Sequence, residues 1–481
     1  MHKSENQRPD GVDGGTDIAN GDAAIGRSQD TLSWGQEFKA TFMLALPLVL
    51  TQLAQMAYFT TDVIMMGWLG KDALAAGSLA TALLHPIQLF GIGALTAVAP
   101  MAAQAIGAKD YTSVRRTARQ GLWLTIILGA LLIFLLFQSE WIFAQVGQEK
   151  EIYLQSSSYL YYASWSLFPA LGIVALRGMV NAHSEAAIIL WITITGIFIN
   201  ALGNYALMFG NFGFPKLELV GAGISTSFVN LVGFTLLISY VAVSKTYSSY
   251  NLFTNFWRPD WPRFMELLRV GVPIGLMITT EVGMFSAATA LMGWLGQDAL
   301  AAHAVALQCA AIAFMVPLGL SQATTIRVGL AQGSHNPLGV KRAGWISIVA
   351  GTGFMLFTGA LFIVMPETLI GFYIDKSNPA NTIPFALAVS YLAVAALFQL
   401  VDGAQAMSAA ALRGLGDTKV PMIVGIIGYW GCGMATSYYL GFVLDWQGVG
   451  IWVGLAVGLA FVAVVLTSRF TLRERYGLLR Y

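Results

Sequence analysis

Twelve blocks of apolar residues follow one another along the chain, at 40–67, 74–106, 120–138, 153–177, 186–210, 219–244, 266–294, 299–329, 343–365, 383–412, 420–443 and 448–469. Each reaches or approaches the ~20 residues that a helix needs to cross about 30 Å of hydrocarbon. The longer ones are expected to tilt or to project into water. Membrane barrels use strands of alternating polarity, whereas these blocks are apolar throughout, so the pattern predicts helices. The expected fold class is an all-α polytopic membrane protein with twelve transmembrane helices. Residues 1–33 are rich in Asp, Gly, Asn and Ser and read as a disordered tail, which we place at 1–37, up to the first apolar block. That block begins near Phe38 and no small-residue cleavage site follows a short core, which argues against a signal peptide.

The pattern occurs twice. Met-Gly-Trp-Leu-Gly at 66–70, followed by Asp-Ala-Leu-Ala-Ala at 72–76, returns at 292–296 and 298–302. At the same offset of 226, Pro47 matches Pro273, Gly107 matches Gly333, and Val114-Arg115-Arg116 matches Val340-Lys341-Arg342. Ala-Leu-Arg-Gly at 175–178 returns at 411–414. Two pseudo-symmetric six-helix bundles are expected, an N-lobe at 38–244 and a C-lobe at 266–470, joined by a cytoplasmic loop at 245–265 and followed by a short tail at 471–481. Six is even, so both halves cross in the same sense, as in parallel-repeat transporters that rock about a central cleft. The repeated motif reads as tight-turn architecture: Gly70 and Gly296 suit a helix C-terminus, and Asp72 and Asp298 suit the N-cap of the next helix. Pro47 and Pro273 fall inside the first helix of each half, where proline bends a helix. The spacings Gly271/Gly275, Gly329/Gly333 and Gly450/Gly454/Gly458 suit close helix contacts.

Composition agrees with this picture. Hydrophobic residues make up 56% and charged residues 11% of 481 positions, too few charges to cover the surface of a soluble protein of this length. A net charge of +1 gives no field that would attract nucleic acid. Cys309 and Cys432 both lie in apolar blocks, and the five histidines show no metal-ligand spacing, so neither a disulfide framework nor a zinc site is readable. The tails and even-numbered connections carry 22 of the 26 basic residues, and the odd-numbered connections carry only Lys71, Lys150, Lys216 and Lys376. The positive-inside rule then places both termini in the cytoplasm.

Three carboxylates lie deep inside predicted helices: Asp62 in the first, Glu281 in the seventh and Asp402 in the tenth. Arg177, Arg327 and Arg413 are read as snorkelling at cytoplasmic helix ends, leaving no fixed cation at comparable depth. A buried carboxylate costs about 2.5–3.5 kcal/mol on insertion scales, so it needs a partner or a proton. Na⁺, H⁺ or a cationic substrate would serve. In the repeat, Asp62 aligns with Ala288, Glu281 with Gln55, and Asp402 with Ser166. The acids therefore mark where the halves differ: one acidic site in the N-lobe and a two-acid site in the C-lobe. Asn200 and Asn204 share a helix face, and Thr226 follows in the next helix. With Asp62 they supply the hard oxygen ligands that suit a small cation such as Na⁺. Gln55, Gln308 and Gln399 are weaker polar candidates for substrate contact, and Gln405 is similarly ambiguous. The many Met, Phe, Tyr and Trp residues would suit flat hydrophobic cations if they faced between the lobes.

The runs Thr-Asp-Val-Ile-Met-Met-Gly-Trp-Leu-Gly at 61–70, Asn-Ala-Leu-Gly-Asn-Tyr-Ala-Leu-Met-Phe-Gly at 200–210, Gly-Ala-Gly-Ile-Ser-Thr at 221–226 and Val-Pro-Ile-Gly-Leu-Met-Ile-Thr-Thr-Glu at 272–281 carry a family resemblance, together with the stretch from Phe398 to Pro421. Over 38–470 the chain resembles the multidrug and toxic compound extrusion (MATE) transporters, closest to their NorM-type bacterial branch. The resemblance implies a V-shaped pair of six-helix bundles in a bacterial inner membrane. It implies a secondary antiporter, not an enzyme, that exports amphipathic or cationic drugs in exchange for Na⁺ or H⁺ and needs no cofactor. It assigns Asp62, Asn200, Asn204 and Thr226 to an N-lobe cation site, and Glu281 and Asp402 to cation or substrate coupling. The expected partners are small-molecule drugs and membrane lipid, with a monomer as the working unit. The alternative is a lipid or lipid-linked saccharide flippase on a similar scaffold, whose cavity would need basic side chains for phosphate. A membrane-embedded enzyme would need a nucleophile–base or metal cluster that the spans do not show.

Overall fold

The computed structural model describes residues 32–479 except 249, 251, 253–255 and 259. Most of the expected N-terminal tail, and the last two residues of the C-terminal one, lie outside the described residues. Twelve helices are long and apolar enough to cross a membrane: α1 Trp34–Trp68, α2 Lys71–Gly107, α3 Tyr111–Leu136, α4 Lys150–Ala182, α5 Ala186–Phe209, α6 Glu218–Val243, α7 Trp261–Leu295, α8 Gln297–Gly333, α9 Pro337–Val364, α10 Pro379–Gly414, α11 Lys419–Val443 and α12 Gln447–Thr471. The described residues contain no strand.

Two boundaries differ from the sequence expectation. Helix α1 starts at Trp34, inside the stretch assigned to the tail, and α7 starts at Trp261, inside the assigned loop. Both first turns interrupt apolar residues with Gln, Glu, Pro or Arg, so the continuous apolar signal begins later than the helix. The Ser33 hydroxyl accepts from the Gln36 amide while the Gln36 side chain accepts from the Ser33 amide at 2.8 Å, a capping box that starts α1. Asp260 caps α7 by accepting from the Arg263 amide, and Pro262 sits in the first turn.

The repeat reappears in helix length. Helices α1 and α7 both span 35 residues, and α2 and α8 both span 37, with Pro47 and Pro273 inside the first of each pair. The α1–α2 and α7–α8 turns pivot on Gly70 and Gly296, with φ of 119° and 114°, a region that favours glycine. These glycines themselves occupy the N-cap positions, and Asp72 and Asp298 fall in the first helical turn without capping it. The aspartates therefore act through the helix dipole, which is a correction to the expected N-cap role.

The two lobes meet at the end of the bundle that holds the termini. Gln332 of α8 donates to the Leu478 carbonyl, and Arg342 of α9 donates to the Leu32 carbonyl, so both chain ends are tied there. Across the lobes, a Cβ on Gly271 would overlap the Ala94 carbonyl, one on Gly333 would overlap the Gln104 carbonyl, and one on Gly319 would approach Val49. Gln104 Nε2 donates to the Gly414 carbonyl at 2.8 Å. Such small-residue seams let helix backbones approach where lipid supplies no hydrophobic drive. The remaining stripe, Gly450/Gly454/Gly458, holds α12 against α11 within the C-lobe.

Two ion pairs cross the same seam. The Arg327 guanidinium grips both oxygens of Glu37, Nε–Oε1 at 2.8 Å and Nη2–Oε2 at 2.6 Å, and their side chains are only 11% and 4% exposed. Arg327 is thus paired across the lobes instead of snorkelling. Arg116 of α3 binds Asp260 at the start of α7, and Arg263 donates to the Thr117 hydroxyl at 2.7 Å.

Removing one partner of a buried bidentate pair strands the other charge and costs about 3–5 kcal/mol, whereas an apolar pair of similar volume is tolerated. Arg327→Ala should therefore lower the thermal unfolding temperature of the purified protein markedly, and the double variant Glu37→Leu/Arg327→Met should recover most of the loss. The hydrogen bond from Arg116 holds the Asp260 carboxyl below its ordinary value. A depressed carboxylate stabilises the fold above its unfolded pKa, and that contribution fades as pH falls through the folded value. Asp260→Asn should thus flatten the acid side of the stability profile below about pH 4, measured by thermal melts across pH.

Candidate functional site

In the N-lobe, α1 and α5 bring three of the expected residues together. Asn204 Nδ2 donates to Asp62 Oδ1 at 2.6 Å and to Asn200 Oδ1 at 3.3 Å. Both asparagines are fully buried. Asn200 Nδ2 donates to the Tyr58 hydroxyl at 3.1 Å. The Ser225 hydroxyl reaches the Asn200 carbonyl at 3.4 Å and locks α6 onto α5 at this level. Thr226 is the next residue on α6 and lies beside Tyr58. The oxygens Asn204 Oδ1 and Thr226 Oγ1 are buried without a hydrogen-bond partner among the described residues. Asp62 forms no ion pair among the described residues, so its charge is met by the side-chain amides of Asn204 and Asn200. Sequence reading missed Tyr58, although it precedes Asp62 by four residues and so shares its helix face. It also missed Tyr159 of α4, buried within electrostatic reach of Asp62, which no spacing could reveal.

In the C-lobe, Asp402 is 5% exposed and feels the charge of Glu281, so α7 and α10 do turn their acids toward one another. The Tyr429 hydroxyl links the two helices through α11: it accepts from Gln405 Nε2 at 2.6 Å and interacts with the Glu281 carboxyl. Asp402 Oδ1 and both amide atoms of Gln399 are buried without a hydrogen-bond partner among the described residues. Helix α11 is π-helical over Ile427–Met434, which contains Tyr429. Such bulges cluster at functional sites because they rotate side chains out of the 3.6-residue register. That rotation is also why Tyr429 could not be placed from periodicity.

One expectation is corrected. Arg413 does not merely snorkel: its guanidinium acts electrostatically on Glu281, so the C-lobe acids have a fixed cation nearby. Gln55 is exposed, and Gln308 is half-buried on α8; neither has a described hydrogen bond into the two clusters. Gln399 does join the C-lobe cluster, one helical turn from Asp402.

A two-lobed bundle of twelve spanning helices, with a polar cluster inside each lobe, defines a secondary-transporter architecture. The MatE family profile matches residues 47–206 and 273–439, one segment in each lobe, and the chain belongs to the MATE family of transporters. It is 47% identical over 444 residues to a probable multidrug resistance protein NorM of Mesorhizobium japonicum, covering 92% of this chain and 95% of that one. It is 42% identical over 443 residues to the protein of the same description from Rhizobium meliloti, covering 92% and 95%. Among solved structures, it resembles the eukaryotic MATE transporter AtDTX14 with a TM-score of 0.80 and 20% identity over 92% of this chain and 99% of that one. It resembles a multidrug resistance MATE transporter described in an outward-facing conformation with a TM-score of 0.82 and 20% identity over 92% and 97%. The protein is a transporter and not an enzyme.

The Tyr429 hydroxyl ties Gln405 to Glu281, so Tyr429→Phe should slow transport several-fold while the protein still folds, with the thermal melt lowered only modestly. An unchanged initial transport rate would show that the link is dispensable.

Proposed function

We propose that this chain is a cation-coupled antiporter that exports amphipathic and cationic drugs by alternating access, in exchange for Na⁺ or H⁺. The observation that carries this reading is the N-lobe cluster: Asp62 is held by side-chain amides and no cation, and Asn204 Oδ1 is buried beside it without a hydrogen-bond partner among the described residues. Asp62, Asn200, Asn204 and Thr226 then form a site whose oxygens suit a small hard cation. Glu281 and Asp402 form the second coupling site and the anionic face for a cationic drug. The relatives described as multidrug resistance proteins support drugs as the substrate class.

The count of basic residues supports a cytoplasmic position for the joined end of the lobes and for both termini. The inner membrane is the location we assign. Glu37–Arg327 and the glycine seams join the lobes toward that end, which supports reading the described state as outward-open. Export follows if the cation and the drug favour opposite-facing states, since a ligand shifts only an equilibrium it binds differentially. One chain contains both lobes and the cleft, so we take a monomer as the unit. No described feature favours nucleic acid, and the acidic clusters do not favour the lipid-linked flippase.

The test is drug efflux from proteoliposomes with a sodium or a proton gradient imposed separately. Asp62→Asn, Glu281→Gln and Asp402→Asn are each expected to abolish or strongly reduce gradient-driven efflux. Normal rates in all three would reject the mechanism, and the gradient that drives the wild type identifies the ion.

A further inference from the structure

The C-lobe interior holds a second polar group that the coupling acids do not use. His303 of α8, Thr289 of α7 and Trp452 of α12 meet six or seven residues from the helix ends opposite the termini. His303 and Trp452 are fully buried. The Thr289 hydroxyl donates to the Phe285 carbonyl at 2.9 Å, which uses its only proton. It must therefore accept from His303 Nε2 at 3.1 Å, and this network assigns the hydrogen of the neutral ring to Nε2. Nδ1 is then a bare acceptor, buried without a partner among the described residues. Beside it, the Trp452 Nε1–H is a buried donor, also without a partner among the described residues, and the two rings lie 5.5 Å apart. Among the described residues no charged group acts on His303.

The unpartnered atoms continue inward. Tyr391, Gln399 and Asp402 lie along one buried face of α10, and each carries a buried polar atom without a hydrogen-bond partner among the described residues. From Tyr391 to Asp402 is eleven residues, about 16 Å of helix, and from Thr289 to Glu281 is eight, about 12 Å. The string therefore runs from the outward third of the C-lobe to the acid pair. An unsatisfied buried polar group costs about 1–3 kcal/mol. A run of them in one lobe calls for a small partner that both donates and accepts, which is the role of buried water.

We propose that this string is a hydrated proton path, in which His303 is the relay that delivers protons from the outward side to Asp402 and Glu281. The inference rests on the coupling role assigned to those acids, and it makes the proton the ion that the C-lobe takes. The outermost unpartnered atoms are the Trp452 N–H donor and an imidazole nitrogen, not the cage of oxygens a metal cation prefers. In the step itself, a hydronium on the outward side gives its proton to His303 Nδ1 and becomes water. The imidazolium then passes a proton from Nδ1 to the next water inward. The ring returns to its Nε2–H form, one proton has moved, and no electrons change hands. Gln399, which does not titrate, orients water between the relay and Asp402.

The experiment compares two modes of transport in proteoliposomes. Net efflux driven by a pH gradient requires proton movement, whereas drug-for-drug exchange without a gradient does not. His303→Gln keeps a donor for Thr289 and an acceptor in place of Nδ1 but carries no proton. It should slow gradient-driven efflux about tenfold or more at saturating drug, with KM for the drug and the exchange rate unchanged. Trp452→Phe keeps the packing and removes the donor, and should lower net efflux in the same selective way. Equal loss of both modes would mark His303 as merely structural, and unchanged net efflux would overturn the path. Efflux driven only by a sodium gradient at equal pH would overturn it as well. If Glu281→Gln and Asp402→Asn retain coupling, the assignment of the acids fails. If they lose coupling while His303→Gln keeps it, the path alone fails.

Discussion

Hydrocarbon offers a polar atom no partner, and this constraint shapes the molecule at every level. It forces the backbone to satisfy itself in helices, which is why twelve continuous apolar blocks become twelve spans. It removes the hydrophobic drive between helices, so the lobes meet through glycines whose Cβ positions are taken by a neighbour's backbone. It also makes each charge inside the bundle significant. Arg327 and Glu37 answer it by binding each other in two places, and their pair sits where the lobes are joined. Asp62, Glu281 and Asp402 are not answered so completely, and those positions hold the chemistry we assign to coupling.

The two lobes share a scaffold but not a site. Matching helices have matching lengths, and matching turns rest on glycines with nearly the same φ. Inside the N-lobe, one carboxylate is met by two asparagines of a single neighbouring helix, and Tyr58, one turn before it on its own helix, holds one of them. Inside the C-lobe, two carboxylates share their surroundings with Tyr429, Gln405 and Arg413. The duplicated architecture supplies two rigid bodies that can rock, and the divergent interiors let ion and drug act on different halves. A seam running from the terminal end toward the middle of the bundle fits this division: it is a contact that must break when the cleft turns over.

Much of this was legible before any coordinates. Helix number, the repeat, the three buried acids and the Asn200/Asn204 face all followed from spacing, because helical periodicity puts residues four apart on one side. What failed did so for identifiable reasons. Apolar counting started α1 and α7 late because their first turns interrupt apolar residues with polar ones or proline. Asp72 and Asp298 do not cap their helices because Gly70 and Gly296 already hold those positions at positive φ. Arg413 and Arg327 were read as snorkelling because position along a helix says nothing of what packs against it.

Local pattern alone thus determined the fold class, the duplication and the residues whose charge is expensive in lipid, since each depends on the chain's own periodicity. The tertiary structure decided which groups those residues meet: Glu37 with Arg327, Asp62 with Asn204, Glu281 with Tyr429, and His303 with Thr289 and Trp452. These partners are distant in sequence or lie on a π-helical segment out of register, and only the packing of helices against one another brings them within reach.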